Sequence, residues 1–333
     1  MPQQSSPYRD IINILQSPQP LLLAGHEDPD CDSLGSLLGL YLAFDGAAKG
    51  WTLLRTGEAP ANLSYLPQLE LFTAPHSIDP AAYAGVLLVD CCQLPRSGSW
   101  MPGLAQGKPV YCIDHHEVSQ PDGVINVIEP QAAAAGEIVA ALCREAGVTL
   151  SDQAALCLYS AIAADTGGFR FRNTCPRCLL MAAHLLPQID SELVRIRLFE
   201  NRSWANMKML AACLNQLQVE CEGRLAYSWL SHAEMEKYQA GYNDCHNIVN
   251  QVLELNGVKV GLMFEEYEDQ VKMSFRCREG YRVDELARQF GGGGHALAAG
   301  CKQEGGLAQV MPPVLAAARR LFAQNLIPPA TGR

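Results

Sequence analysis

The sequence lacks the features that would attach it to a membrane or send it out of the cell. It has no run of eighteen apolar residues, so no transmembrane helix is expected, although 48% of its 333 residues are hydrophobic. The N-terminal segment MPQQSSPYRD lacks the charged-then-apolar pattern of a signal peptide. We therefore expect a cytoplasmic protein without membrane contact. Its length and apolar content suffice for two domains with separate cores.

An excess of positive charge is also missing. The chain carries 35 acidic and 25 basic residues, for a formal net charge of −10. Proteins that bind long nucleic acids across an open face are usually basic. The charge balance therefore favours short nucleic acids or mononucleotides over long duplexes as partners.

Cysteine is plentiful, but the pattern of a disulfide framework is absent. The thirteen cysteines are an odd number and are dispersed along the chain, which is typical of reduced thiols in a reducing cytosol. The one Cys-x-x-Cys motif is Cys175–Cys178, and it lacks the second pair that a structural zinc site would need. A redox or metal role for these two residues stays open.

Short apolar runs bounded by turn-forming residues predict buried strands at Leu21–Ala24, Val86–Val89 and Val110–Ile113. Helical patterns at Ser33–Ala43 and Ala132–Ala146 lie between or after them. Strands that alternate with helices indicate an α/β domain with a parallel sheet.

Acidic and histidine residues follow these apolar runs, and we predict that each group stands at the end of a strand. The groups are His26, Asp30 and Asp32; Asp90; Asp114, His115 and His116; and Asp165, which follows the apolar stretch Ala154–Ala164. Taken alone, Asp90 is more often a cap or turn former, and the two histidines could be a polar pair in a loop. In a parallel sheet the loops after the strands share one edge. Together the groups supply the oxygen and imidazole ligands that hold two divalent metals over a phosphate.

The ordered motifs resemble those of the DHH phosphoesterases. The first family motif matches His26, Pro29, Asp30, Asp32, Gly35 and Ser36; the others match Asp90, Asp114-His115-His116 and Asp165-Thr166-Gly167. The segments SFRCR and VDELARQFGGGGHALAAG resemble the Gly-rich substrate domain that accompanies these catalytic domains. The resemblance covers nearly the whole chain. It departs locally at Asp28, Cys31 and Gly168, and no departure removes a ligand.

The resemblance implies a site with two Mn²⁺ ions, for which Mg²⁺ or Co²⁺ could substitute. His26, Asp30 and Asp90 would hold one ion, and Asp32, Asp90, His115 and Asp165 would hold the other. Asp90 would then bridge both ions. His116 and Asp114 would be the catalytic residues, with His116 facing the substrate phosphate. Two such ions lower the pKa of water enough for hydroxide to attack a phosphate at neutral pH.

The glycine run of GGGGH indicates the substrate side of the site. Consecutive glycines can adopt positive φ and expose N–H groups to an anion, although a glycine run is just as often a flexible linker. Alternation along a predicted strand, Val271–Cys277, places Arg276 and Arg278 on one face, and arginine suits bidentate phosphate contact. The resemblance implies that Arg276, the glycines and His295 bind the far end of the substrate. The substrate-binding residues implied by the resemblance are Arg276, Gly291, Gly292, Gly293, Gly294 and His295.

We expect two α/β domains: a parallel-sheet catalytic domain and a smaller substrate domain, with the active site in the cleft between them. The boundaries are 1–188 for the metal-binding domain, 189–221 for a helical linker and 222–333 for the substrate domain, which ends in a helix near Leu307–Asn325. Whether the protein forms a homodimer is left open.

The resemblance is to the oligoribonuclease (nanoRNase) and 3′-phosphoadenosine-5′-phosphate (pAp) phosphatase group. It implies hydrolysis of short oligoribonucleotides, dinucleotides and pAp. The alternatives are a linear or cyclic dinucleotide phosphodiesterase, an inorganic pyrophosphatase or polyphosphatase, and a non-catalytic nucleotide sensor. Arg276 with GGGGH argues against pyrophosphate, and a sensor would be expected to lose ligands that this chain keeps.

Overall fold

Two separate sheets organise the chain. A computed structural model describes residues 7–55, 57–245 and 248–324. The chain divides into one unit over Met1–Asn201 and a second over Arg202–Arg333. The division falls inside the segment 189–221. No helix in these described ranges is both long and apolar enough to cross a membrane.

The first unit contains a parallel sheet. Over its described residues the sheet has five strands in the order β2-β1-β3-β4-β5, and every neighbouring pair is parallel. The strands are β1 (Leu21–Ala24), β2 (Thr52–Leu54), β3 (Gly85–Val89), β4 (Val110–Asp114) and β5 (Ile125–Ile128). β1, β3 and β4 are buried along their whole length. Parallel strands covered on both faces read as unbroken apolar runs, which is why the sequence predicts these three strands correctly.

Helices surround this sheet. The helices of the first unit are α1 (Pro7–Gln16), α2 (Cys31–Ala43), α3 (Met101–Leu104), α4 (Ala135–Glu145), α5 (Asp152–Asp165), α6 (Pro176–Leu185) and α7 (Ser191–Phe199). Short 3-10 helices occur at Ala61–Leu63, Leu69–Leu71, Pro75–Ser77, Pro80–Ala82, Leu94–Ser97 and Leu186–Gln188.

Helices α2 and α5 pack closely because α2 carries glycines on the contacting face. A Cβ atom at Gly35 would lie 2.6 Å from the Cys157 carbonyl oxygen, and one at Gly39 would lie 2.5 Å from Leu158 Cδ2. Contacts this short do not occur, so a larger residue would push the helices apart. The close packing brings the start of α2 beside the end of α5.

The position of Asp165 differs from the prediction. It is the last residue of helix α5, not the end of a strand. The apolar stretch that precedes it is rich in alanine, which favours helix, and the fourteen residues of α5 exceed the usual length of a buried strand. Asp165 therefore reaches the edge of the sheet from a helix that packs on α2.

The second unit contains a mixed sheet. Over the described residues it has six strands in the order β10-β11-β9-β8-β7-β6, and only β7 and β8 pair in parallel. The strands are β6 (Gln218–Glu220), β7 (Leu225–Leu230), β8 (Val260–Glu266), β9 (Gln270–Cys277), β10 (Gly293–His295) and β11 (Ala298–Glu304). The helices are α8 (Trp204–Asn215), α9 (His232–Lys237), α10 (Ile248–Leu253), α11 (Val283–Arg288) and α12 (Leu307–Gln324), with a 3-10 helix at Tyr242–Cys245. Asn325, where we expected the last helix to end, lies outside the described residues.

Strand β9 shows why one face of this sheet is buried. Its residues alternate between partly exposed and buried positions along the whole strand. Buried Val271, Met273 and Phe275 belong to a core that also contains residues of α11 and α12. Arg276 lies in the partly exposed row of β9, on the face opposite this core.

Candidate metal centre

Three parallel strands deliver ligand side chains to the same edge of the sheet. His26 follows β1, Asp90 follows β3 and His115 follows β4. Asp90 Oδ2 lies 3.3 Å from His26 Nε2, and Asp90 Oδ1 lies 3.4 Å from His115 Nε2. Because β3 lies between β1 and β4, its aspartate reaches the histidines of both neighbouring strands. This is the carboxyl edge of the sheet, where ligands bind in open α/β folds.

The potential ligand atoms form three overlapping groups. Within each group the donor atoms lie within 4.8 Å of one another. The groups are His26, Asp30 and Asp90; Asp32, His115 and Asp165; and Asp90, His115 and His116. The structure thus brings together every residue that the sequence suggested as a metal ligand.

The distances between these donors suit shared coordination better than hydrogen bonding. His26 Nε2 lies 3.7 Å from Asp30 Oδ1. His115 Nε2 lies 3.5 Å from Asp32 Oδ2 and 3.4 Å from Asp165 Oδ2. These separations exceed the usual N–H···O length of about 2.7–3.2 Å. Atoms that each lie about 2.0–2.2 Å from a common ion are about 3 Å or more apart, so ions fit between these side chains.

Asp90 has the local features of a functional residue. Its backbone φ is 59°, a left-handed conformation that costs a non-glycine residue energy. Its side chain is only 2% exposed, and its Oδ1 atom accepts no hydrogen bond from the described residues. A buried carboxylate oxygen without a donor is unfavourable unless a cation compensates it. Divalent ions beside Asp90 would supply that compensation.

Asp32 is held by groups that the sequence did not reveal. Its Oδ2 accepts a hydrogen bond from the Ala135 N–H at 2.7 Å. Its Oδ1 accepts bonds from the Gly136 N–H and the Ser36 hydroxyl, both at 3.0 Å. Ala135 and Gly136 open helix α4, so the helix N-terminus orients the carboxylate. The pattern Ala132–Ala146 predicted the helix but gave no sign of this contact.

Asn173 is a second residue that the sequence did not reveal. Its amide donates hydrogen bonds of 3.0 Å to the carbonyl oxygens of Ala133 and Asp165. It therefore ties the start of α4 to the end of α5. An asparagine in an irregular segment carries no sequence signal for such a role.

His116 differs from His26 and His115 because one of its ring nitrogens is hydrogen-bonded to Asp114. Asp114 is fully buried, and its Oδ1 lies 2.8 Å from His116 Nδ1 while accepting the backbone N–H groups of His115 and His116 at 2.8 and 3.1 Å. Burial would raise the pKa of Asp114, but the bond from His116 outweighs it and the pKa is lowered. The ionised carboxylate can only accept, so Nδ1 carries a proton and offers no lone pair to a metal. The remaining nitrogen of His116 is Nε2.

The buried carboxylates of the site raise the pKa values of the groups around them. Burial alone would lower the pKa of His26 and His115, but the close carboxylates of the neighbouring aspartates raise the pKa of each to about 10. Burial raises the pKa of Asp165 to about 7, and burial with the charge of Asp90 raises that of Asp32 well above its ordinary value. A divalent cation would displace these protons. Oxygen donors with imidazole suit Mn²⁺ or Mg²⁺.

The glycine run of the second unit forms a turn and the edge strand β10. Gly291 and Gly294 have φ values of 73° and 137°, whereas Gly293 has no positive φ. A Cβ at Gly292 would lie 2.2 Å from the Gly300 carbonyl oxygen, but one at Gly293 would meet nothing within 4 Å. The expectation that the run adopts positive φ therefore holds for Gly291 and Gly294. The hairpin to β11 imposes these conformations, so the run is not a flexible linker.

Arg276 lies in the same cross-strand row as the end of the glycine run. Ala298 of β11 pairs with Arg276 on one side and with His295 on the other. The side chain of His295 is not among those that the structure describes. Burial lowers the pKa of Arg276, whose Nη1 donates to the Phe275 carbonyl at 3.0 Å. A half-buried guanidinium in this position suits an anionic ligand.

Arg278, the other arginine of the predicted pair, is bonded to backbone carbonyl oxygens. It lies beyond the end of β9, and its guanidinium donates to the carbonyl oxygens of Val258 and Leu253, each at 3.1 Å. Because the strand ends at Cys277, the shared face of Arg276 and Arg278 stays a prediction.

The cysteines are reduced, and none is a candidate metal ligand among the described residues. All thirteen are free thiols. Cys175 and Cys178 bond to each other's backbone at the start of α6, where Cys175 N–H donates to Cys178 Sγ at 3.3 Å. The groups of potential metal ligands found among the described residues contain no cysteine.

The sequence matches two known domain families and a characterised relative over most of its length. The DHH family N-terminal domain matches residues 20–162, and the DHHA1 domain matches residues 222–324. The bifunctional oligoribonuclease and PAP phosphatase NrnA of Thermus thermophilus is 30% identical over 301 residues, which cover 90% of this chain and 89% of that protein.

Solved structures share the fold. An exopolyphosphatase-related protein from Bacteroides fragilis has a TM-score of 0.85 at 21% sequence identity, with 98% of each chain covered. RecJ from Thermus thermophilus in complex with Mn²⁺ has a TM-score of 0.56 at 15% identity, with 96% of this chain and 55% of RecJ covered. At these identities the likeness concerns the fold alone.

Proposed function

Because the chain belongs to the DHH family, we propose that it is a divalent-metal-dependent phosphoesterase that hydrolyses short oligoribonucleotides, dinucleotides and pAp. The observation that carries this proposal is the convergence of six potential oxygen and imidazole ligands, Asp90 among them, at one edge of the sheet. The relative from Thermus thermophilus, named for oligoribonuclease and PAP phosphatase activity, supports the substrate class.

Two Mn²⁺ ions fit the donor set best, with Mg²⁺ or Co²⁺ as substitutes. His26, Asp30 and Asp90 would hold one ion, and Asp32, Asp90, His115 and Asp165 the other. When bound, such a pair lowers the pKa of water and neutralises phosphate charge. The buried, unbonded Oδ1 of Asp90 supports its assignment as the shared ligand.

His116 would act on the substrate phosphate. Its Nδ1 is engaged by Asp114, so Nε2 is the nitrogen that would face the substrate. In the neutral ring Nε2 would accept a proton, and once protonated it would donate a hydrogen bond to a phosphate oxygen or the proton to the leaving oxygen. Asp114 would then fix the orientation of the ring without touching the substrate. Such an orienting carboxylate behind a catalytic histidine selects the tautomer.

The second unit would bind the far end of the substrate. Arg276 and the exposed Gly293 lie on neighbouring parts of one sheet, with a guanidinium and backbone N–H groups suited to phosphate. Arg276→Lys should raise KM for nucleotides, because a point charge cannot replace a two-pronged contact.

Metal dependence is the first test of this function. Protein treated with a chelator should be inactive and should regain activity with Mn²⁺ more fully than with Zn²⁺. Full activity of the chelated, metal-free protein would contradict the mechanism.

Parallel assays of products identify the substrate. A diribonucleotide, pAp, a cyclic dinucleotide and pyrophosphate are each incubated with the protein and Mn²⁺, and products are separated by chromatography. We expect mononucleotides from the diribonucleotide and phosphate from pAp, with little turnover of pyrophosphate. Asp90→Asn protein prepared in the same way controls for contaminating nucleases. Hydrolysis of pyrophosphate alone would contradict this proposal and indicate an inorganic pyrophosphatase. Binding of the nucleotides without turnover would indicate a sensor.

A further inference from the structure

The start of helix α4 lacks the side-chain cap that helices usually have. Its N-cap residue is Ala134, which cannot accept a hydrogen bond through its side chain. Free N–H groups at a helix start need acceptors, which serine, threonine, aspartate or asparagine usually provide. Here Asp32, from helix α2, accepts the Ala135 and Gly136 N–H groups. A metal ligand therefore serves as the missing cap.

Glu137 supplies the other half of this capping arrangement. It is fully buried, and its Oε2 accepts the backbone N–H of Ala133 at 2.7 Å. A glutamate in the first turn that reaches back in this way fixes the entry of the chain into the helix. The short turn from Ala133 to Gly136 contains the Ala135 and Gly136 N–H groups that orient Asp32. The position of that carboxylate thus depends on Glu137.

Arg177 contacts both Glu137 and Glu129, the residue directly after strand β5. Its Nε bonds to Glu137 Oε1, and its Nη1 lies 2.6 Å from Glu129 Oε2. Glu129 is the residue after β5, and its backbone N–H donates to the Asp114 carbonyl at 2.9 Å. One guanidinium therefore bridges both ends of the segment 129–137. The charge also compensates the buried Glu137 carboxylate, which would otherwise be unfavourable.

From these contacts we propose that Glu137 and Arg177 are positioning residues that set the affinity of the metal site containing Asp32. The proposal rests on the proposed function, because it assigns Asp32 to a bound ion. Groups that orient a metal ligand typically contribute about 10–100-fold to metal affinity. The effect should be confined to the ion held by Asp32, Asp90, His115 and Asp165, and the ion held by His26, Asp30 and Asp90 should keep its affinity.

Titration of the metal-free protein with Mn²⁺, followed by the electron paramagnetic resonance of free Mn²⁺, tests this proposal. Glutamine at position 137 keeps an oxygen for the Ala133 N–H but turns its amide N–H groups toward the Arg177 guanidinium. Glu137→Gln should therefore weaken one of the two ions about tenfold or more and leave the other unchanged. Arg177→Lys should give the same pattern. Because Arg177 is half-exposed, this variant should fold, and it provides the test if Glu137→Gln does not fold.

Glu265→Gln is the matched control. Glu265 is also a buried carboxylate, 1% exposed, and pairs with Lys272 Nζ at 3.0 Å in the sheet of the second unit. A general effect of losing a buried ion pair would lower thermal stability in both variants, whereas only Glu137→Gln should change Mn²⁺ affinity. Equal Mn²⁺ affinities for wild type and Glu137→Gln would overturn the proposal.

A double-mutant cycle tests whether the effect acts through Asp32. In the background of Asp32→Ala, Glu137→Gln should have no further effect on Mn²⁺ binding, because its target ligand is gone. An equal additional loss in that background would overturn the positioning role. A wild-type protein that bound no Mn²⁺ would instead contradict the proposed function itself, so the two failures are distinguishable.

Discussion

At the scale of single residues, Asp90 combines a strained backbone with a central position. Its left-handed φ turns the chain at the end of β3 so that both carboxylate oxygens face histidines from the neighbouring strands. Strain of this kind persists where the surrounding structure imposes it, and it is concentrated at functional sites. The geometry supports a shared ligand more than a turn former, the alternative that the sequence left open.

Replacement of Asp90 by asparagine should remove both metals. Asparagine tolerates the left-handed conformation and keeps the shape of the side chain, so the fold should survive. The loss of a direct ligand charge should weaken both ions by more than the ~10–100-fold typical of indirect effects, as measured by elemental analysis after gel filtration. Asp114→Asn, another buried strand-end aspartate, is the control and should retain its metals. Two tightly bound ions in Asp90→Asn would refute the bridging role.

His116→Ala should separate turnover from metal binding. Its Nδ1 is protonated and bonded to Asp114, so the ring should contribute to substrate chemistry rather than to coordination. We expect kcat to fall roughly 10²–10⁴-fold, as for removal of a general acid or base, with Mn²⁺ affinity unchanged in a titration. A loss of bound metal equal to that in His115→Ala would assign His116 to the coordination shell instead.

At the scale of elements, the β10–β11 hairpin shows that neighbouring glycines have different tasks. Gly292 packs against Gly300 and Cys301 with no room for a side chain, whereas Gly293 has open space around its Cα. The backbone at Gly292 is therefore required for the sheet, and that at Gly293 is accessible to a ligand.

Alanine substitutions at these two glycines should affect different properties, stability at Gly292 and substrate binding at Gly293. Gly292→Ala forces backbone shifts and should cost about 1–3 kcal/mol of stability, seen as a lower Tm. Gly293→Ala should leave Tm nearly unchanged but raise KM for pAp and dinucleotides. Hydrolysis of bis-p-nitrophenyl phosphate, which needs only the metals, should be unaffected by Gly293→Ala. An equal loss with both kinds of substrate would make the glycine run structural and the substrate assignment wrong.

At the scale of the whole molecule, the excess of acid at the metal centre links folding to pH. The pKa of His26 and His115 is raised to about 10, so their contribution to stability is present below their ordinary pKa of about 6.5 and is lost as the pH rises toward 10. The pKa of Asp165 is raised to about 7, so the folded state holds its proton more tightly than the unfolded state does. Its contribution falls as the pH rises from about 4 to 7.

Metal-free protein should therefore lose stability with rising pH. Each kcal/mol lost lowers Tm by about 2–4 °C in a domain of this size, and we expect a fall of about 5 °C or more between pH 5.5 and 9 in scanning calorimetry. With saturating Mn²⁺ the trend should flatten or reverse, because the ions replace the protons. A metal-free Tm that rises over this range would contradict the proton-sharing site.

Physical patterns in the sequence were sufficient to locate three of the five strands of the first sheet and the candidate ligands that the structure brings together at its edge. Buried parallel strands read as apolar runs, so β1, β3 and β4 could be located, and the ligand motifs directly after them follow from strand direction. The family relationship was also encoded in the order of those motifs, from His26 to Asp165. These features are local in the chain, or depend only on a repeating pattern.

Only the tertiary structure decided how the ligands are held. Asp165 arrives on a helix whose place beside α2 depends on interhelical packing, and Asp32 is oriented by N–H groups more than a hundred positions later in the chain. The bridge from Arg177 to Glu129 and Glu137 likewise joins segments that are distant in sequence. Local propensity and periodicity carry no information about such contacts, because they form only when separate elements pack together.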